Sequence, residues 1–336
     1  MFFRNKSAIV NYLIKFEEVV WWALAIGIVI GLSLIIDQAD IIGRDWQTLY
    51  RPATLSDDFI HYEMVANPPY IMFIFYPLAL FTPLVGYVGL MIVSVICFRL
   101  TAHLSSFNKW LIFPSFPAFW MLVYGQIDGL VTLGVAIGAW SIRRNKPYFQ
   151  GVATLLLCLK PHIGAILALV YLLWQWNWRA FVVSISVCLL SLYFFGVGWP
   201  IEWLNRLFFE TNLASQEQGF SRDANSFNNI GLFPYGLLAW LLVLIPYPKS
   251  EKIPAIVSAS ILSSPYAGGY SLLSTMGVPL PLFIYPLLSL PFLGAIGYKF
   301  LIVAPIALVV WPVIKHYGLP LFYKGKVDQK ARIQSD

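Results

Sequence analysis

The chain has 336 residues, 59% hydrophobic and only 11% charged. A soluble domain is about a quarter charged, and a globule this apolar would have no polar residues left to face water, so lipid is the solvent that fits. The net charge of +6 does not point to nucleic acid, because the basic residues are scattered at the ends of apolar runs, where they anchor a chain at a membrane surface.

In chain order the apolar runs cover roughly 19–36, 70–98, 110–124, 127–142, 149–174, 180–198, 230–247, 253–264, 270–291 and 296–313. A span takes about 20 residues. The first run, Val19 to Ile36, reads as a retained span, since the basic residues and small-residue cleavage site of a secretory leader do not frame it. The run 149–174 is interrupted by Lys160-Pro161-His162, and 270–291 contains Pro279, Pro281 and Pro286. Proline removes a backbone donor and bends or breaks a helix, and broken helices at membrane depth line protein or water-filled cavities. The expectation is an all-α polytopic transmembrane bundle of ten to twelve spans, several short or broken, forming one domain over 1–336. Cys97, Cys158 and Cys188 all lie inside apolar runs and suggest neither a disulfide framework nor a metal site.

Charge gives the orientation. With Arg4, Lys6 and Lys15 in the cytoplasm, alternate crossings leave Arg99, Lys109, Arg143, Arg144, Lys146, Arg179, Lys249 and Lys252 inside, together with the basic tail 314–336. Both termini are then cytoplasmic. Two longer segments, 37–69 and 199–229, fall outside; both mix charged, amide and aromatic residues, as a membrane enzyme holding a polar substrate requires.

The first outside segment carries Asp45, followed by Trp46 and Tyr50. In a helix Asp45 and Leu49 share one face, and Trp46 and Tyr50 the next, placing an acid beside an aromatic surface suited to a sugar. A carboxylate near apolar surface has a raised pKa and can act as a general base, although a solvated loop acid is the plain alternative. Asn67-Pro68-Pro69 makes a rigid entry into the next helix, with Asn67 a cap or a ligand contact. Gln126 and Asp128 separate two apolar runs with almost no loop, so they sit near the membrane face; Asp128 reads equally as an N-cap or a site residue. Lys160 needs a partner inside its apolar run, and a break at Pro161 turns it toward the outside, where a cation suits phosphate or snorkels to the interface. His162 assists it or is simply hydrogen-bonded. Arg222 and Asn225 belong to a stretch rich in groups that bond hydroxyls, or to an ordinary polar loop. Tyr266 and Tyr270 add aromatic surface at a tight junction, or sit in the interfacial belt. Together these residues support a phosphate-bearing polar ligand at the outer face.

Asp45-x4-Tyr50-x2-Ala53, Asn67-Pro68-Pro69, Gly125-Gln126-x-Asp128, Lys160-Pro161, Asn225-Ser226 and Ser264-Pro265 occur in this order across about 40–270. The pattern resembles the integral membrane glycosyltransferases that use polyprenyl-phosphate sugars, with the GT-C fold, and within them the α-mannosyltransferase-like proteins of glycosyltransferase family 87. The resemblance implies an inverting hexosyltransferase of the cell inner (plasma) membrane. Its donor is a polyprenyl-phosphate-linked sugar and its acceptor a lipid or glycan; it needs no nucleotide sugar, no metal and no other cofactor. Asp45 matches the family's catalytic acid and Lys160 the cation near the leaving phosphate. Where the family often has a polar residue near the late proline motif, this chain has Ala267-Gly268-Gly269-Tyr270. A catalytically degenerate member of the family, and a transporter or flippase of a lipid-linked or polar solute, which also builds sites from broken helices, are the other readings of the same features.

Overall fold

Long apolar stretches free of proline give the longest helices, and proline sets where the others start or stop. The computed structural model describes residues 2–36, 41–56, 58–59, 67–174, 176–205, 230–264, 267–293 and 300–318. Helix α1 (Phe2–Leu34) is followed by a π-helical turn Trp46–Tyr50 that runs into the short α2 (Arg51–Leu55). Then come α3 (Met72–Ala79) and α4 (Pro83–Ser105), with Thr82 capping α4 and Pro83 at its first position. Next are α5 (Phe116–Tyr124), α6 (Asp128–Arg144), α7 (Pro147–Cys158), α8 (Pro161–Trp174) and α9 (Trp178–Phe195). Helices α10 (Trp199–Asn205), α11 (Ala239–Leu244), α12 (Lys249–Ser263), α13 (Ile284–Ser289) and α14 (Val303–Val313) complete the set. The stretch Gly269–Gly277 is a 3-10 helix.

Among the described residues, four segments are long and apolar enough to cross a membrane: Lys15–Leu34, Pro83–Ser105, Trp178–Phe195 and Phe300–Gly318. Four shorter apolar helices accompany them: Pro69–Ala79, Pro147–Cys158, Pro161–Trp174 and Tyr235–Leu244. Helix α9 turns Ile185, Leu189, Tyr193 and Phe194 outward, all well exposed. Apolar side chains on an outer surface fit a hydrocarbon surround, and the chain is an all-α, multi-pass membrane protein. Of the ten to twelve spans expected, several short or broken, the described residues supply these four long and four shorter apolar helices, with Pro147 and Pro161 starting two of the shorter ones and Pro254 lying inside α12.

Side-chain contacts gather many of the basic residues at one end of the bundle. Glu18 on α1 accepts from Arg99 Nε and Nη2 at 3.0 and 2.6 Å and from Lys109 at 2.7 Å. Arg143 on α6 donates to the Leu104 carbonyl on α4, 3.1 Å. Lys249 lies 5.2 Å over the Trp174 ring at the end of α8, and Glu251 bonds Lys315 at 2.6 Å. Helices α6, α7 and α8 zigzag between this end and the other, so the α5–α6 and α7–α8 junctions share the opposite end.

Candidate functional site

Three junctions converge at that opposite end. Helix α5 stops in a Schellman turn: Gly125 takes φ +74°, its N–H bonds Leu122 O at 3.3 Å, and the Gln126 N–H bonds Met121 O at 3.0 Å. Only glycine adopts this conformation without strain, and a Cβ there would meet the Trp46 Cβ at 3.1 Å. The turn projects Gln126, and Asp128 opens α6 directly after it. Helices α7 and α8 are joined by Leu159 and Lys160 alone, and Pro161 starts α8. The Lys160 carbonyl accepts from Ile163 and Gly164 at 3.0 and 2.9 Å, which fixes its backbone as the start of α8. Asp45 precedes the π-helical turn, and the Gly43 N–H ties that segment to Val123 O at 2.6 Å.

Gln126 is the hub. Its Oε1 accepts from Tyr50 Oη and from Lys160 Nζ, both at 2.9 Å. Two donors on that oxygen decide which end of the amide is which, so Nε2 faces Asp45 and donates to its Oδ2. Lys160 Nζ also bonds Asp128 Oδ2 at 2.7 Å and stands 4.5 Å from the centroid of the Tyr270 ring. Asp128 is sealed, and its Oδ1 has no partner among the described residues. Asp45 is only half-buried, and its Oδ1 makes no hydrogen bond among the described residues. Burial raises the Asp45 pKa above the ordinary carboxylate range, against the Gln126 bond and the Lys160 charge, which lower it. The arrangement is a carboxylate held by one oxygen, the other open, and made more basic than a surface acid.

The structure brings Asp45, Tyr50, Gln126, Asp128, Lys160 and Tyr270 together. Asp128 makes no side-chain cap bond, so the ion pair accounts for it. Trp46, expected as an open aromatic face for a sugar, is fully buried: its Nε1 donates to Pro83 O at 3.0 Å and its ring packs against Phe75. Gly86 makes room for that ring, since a Cβ there would stand 2.6 Å from Trp46 Cζ2. Trp46 therefore braces the Asp45 turn from behind. Asn67 donates to Leu159 O at 2.6 Å and clamps the end of the first segment to the α7–α8 break. Lys160 does not face outward as a free cation, because Asp128 and Gln126 engage it and it is 6% exposed. His162 is exposed at the start of α8 and joins none of these bonds. Arg222, Asn225 and Tyr266 lie outside the described residues, as does most of 199–229. Sequence reasoning missed Tyr70, whose hydroxyl donates to Leu155 O at 2.9 Å; it stands next to Pro69, but nothing in its spacing marks a partner on α7. Among the described residues, no group of three or more His, Cys, Asp or Glu could hold a metal ion.

The model of glycosyltransferase family 87 matches residues 66–247, more than half of the chain. The matched stretch contains Asn67, Gln126, Asp128 and Lys160 and begins after Asp45. No curated protein and no solved structure matches the chain.

Proposed function

Because the chain belongs to glycosyltransferase family 87, we propose that it is an inverting hexosyltransferase of GT-C type that takes its sugar from a polyprenyl-phosphate donor. The hexose is mannose in the family's commonest association, and the acceptor is a hydroxyl of a lipid or glycan. The observation that carries the reading is the held carboxylate: Gln126 fixes Asp45 Oδ2 and leaves Oδ1 open. Oδ1 takes the proton of the acceptor hydroxyl while that oxygen attacks the anomeric carbon from the side opposite the donor phosphate. The bond from anomeric carbon to phosphate oxygen breaks, and the lipid phosphate leaves with its electron pair. Base assistance of this kind is typically worth about a hundred- to ten-thousand-fold.

Lys160 supports the base in this scheme, since its charge is matched by Asp128 and its N–H helps to set the Gln126 amide. With Asp45 ionised, two carboxylates against one ammonium leave this cluster negative, which repels a phosphate. Arg44 and Arg51 flank the π-helical turn, and Arg51 Nε is buried without a partner among the described residues. They take the phosphate contact the sequence reading gave to Lys160 and His162. The basic end of the bundle faces the cytoplasm, with both termini, and the site faces outward at the inner (plasma) membrane.

The test is turnover at equal folded protein for Asp45→Asn, with Asp40→Asn, Asp57→Asn and Asp58→Asn as controls. Asn keeps an oxygen for the Gln126 N–H but cannot take a proton, so Asp45→Asn loses about a hundred-fold or more while the controls keep appreciable activity. Full turnover in the Asp45 variant removes the base from the mechanism.

A further inference from the structure

At the basic end, most described clusters contain their own acids: Arg99 and Lys109 bond Glu18, and Lys315 bonds Glu251. One cluster does not. A cavity of about 360 Å³ lies between the ends of α4 and α6, lined by His103, Ser105, Ser106, Trp140, Arg143 and Arg144 among others, with no carboxylate. Ser105 is engaged, donating to Gly277 O at 2.6 Å, and one guanidinium nitrogen of Arg143 bonds Leu104 O at 3.1 Å. Arg144 and His103 are exposed and have no hydrogen-bond partner among the described residues. The carbonyl dipoles at two helix C-termini take up part of this charge, but two arginines exceed what two helix ends offset.

The surroundings locate the cavity at a lipid boundary. The Trp140 ring meets Phe149 edge-on at 5.3 Å, and Tyr148 and Phe149 are exposed at the start of α7. Aromatic side chains collect at the membrane–water interface, and basic pockets between helices at that level take anionic headgroups. We propose that this cavity binds the phosphate of an anionic membrane phospholipid, with Arg143 and Arg144 on the phosphate oxygens and Ser106 and His103 on the headgroup. The guanidinium fork gives paired donors to two oxygens of one phosphate. The site is at the end of the bundle remote from Asp45 and stands whether or not the proposed transfer reaction does.

The experiment is binding of phosphatidylglycerol and of phosphatidylcholine to delipidated protein in detergent, counted by native mass spectrometry. The wild type should prefer phosphatidylglycerol at least tenfold. Arg144→Gln should weaken it about tenfold, and Arg143→Gln with Arg144→Gln should remove the preference. Arg144→Gln leaves the Arg143–Leu104 bond intact, so its melting temperature should not move, and Lys146→Gln, beyond the cavity lining, should bind as the wild type does. No preference in the wild type, or an unchanged preference in the double variant, overturns the proposal. So does full displacement by inorganic phosphate, which would make this a free-anion site.

Discussion

Replacing Lys160 by methionine separates its two possible jobs. Asp128 has no exposed side-chain surface and relies on Lys160 for its counter-charge. Removing one partner of a buried pair costs roughly 3–5 kcal/mol, because the other charge is left buried alone. Replacing both, as Lys160→Met with Asp128→Leu, is expected to be near neutral. The unpartnered Asp128 Oδ1 strengthens that expectation, since the double variant removes an unsatisfied atom along with the pair. The coupling energy from unfolding in mixed micelles should therefore reach about 3 kcal/mol. In the refolded double variant Gln126 loses the Lys160 bond but keeps that of Tyr50. One lost hydrogen bond of roughly 1.5 kcal/mol lowers turnover about tenfold, with donor affinity unchanged. A double variant as unstable as Lys160→Met alone would refute the ion-pair account. Normal turnover with weakened donor binding would return Lys160 to the phosphate.

Gln126→Leu removes the donor to Asp45, so turnover should fall more than tenfold and the acid limb of the pH profile should move to higher pH. The sign follows because the Gln126 bond lowers the Asp45 pKa, and an acid limb that stays put would detach the base from Gln126. Gly125→Ala forces a side chain into the left-handed region and should cost roughly 1–2 kcal/mol by thermal unfolding; an unshifted melt would show that the turn tolerates a Cβ. Cysteines placed at Arg44 and Lys146, with the three native cysteines replaced, should react with an impermeant reagent in intact cells at the first position only. Reaction at Lys146 alone would invert the topology.

The ingredients of the site were legible in the sequence because polar residues are costly within apolar runs and stand out there. Gln126, Asp128 and Lys160 are conspicuous for that reason, and the proline after Lys160 marks the break that turns it toward Asp128. Which polar group pairs with which was not legible. Asp128 read equally as a cap because an acid in the first turn suits a helix on any account, and only the fold shows Lys160 opposite it. Trp46 was misjudged because adjacency to Asp45 says nothing of which side of a turn faces the core. The indole's direction depends on Gly86, forty residues later, leaving space for it. Nothing in the sequence marks Glu18, although it gathers two cations from α4 and the turn after it.

Helices α7 and α8 have 12 and 14 residues, about 18 and 21 Å of rise, against a hydrocarbon layer of about 30 Å. A hairpin this short does not by itself reach both surfaces of an undeformed bilayer, and where the exposed Ile166, Leu169 and Leu173 of α8 meet lipid, the layer would thin beside them. Thinning costs a fraction of a kcal/mol per Å of mismatch. A lipid-anchored donor whose phosphate rides at headgroup level would be carried down toward the recessed network by the same deformation. On the proposed reaction, acyl-chain length thereby becomes a variable: reconstitution in lipids of increasing length should raise the donor KM before it alters the chemical step.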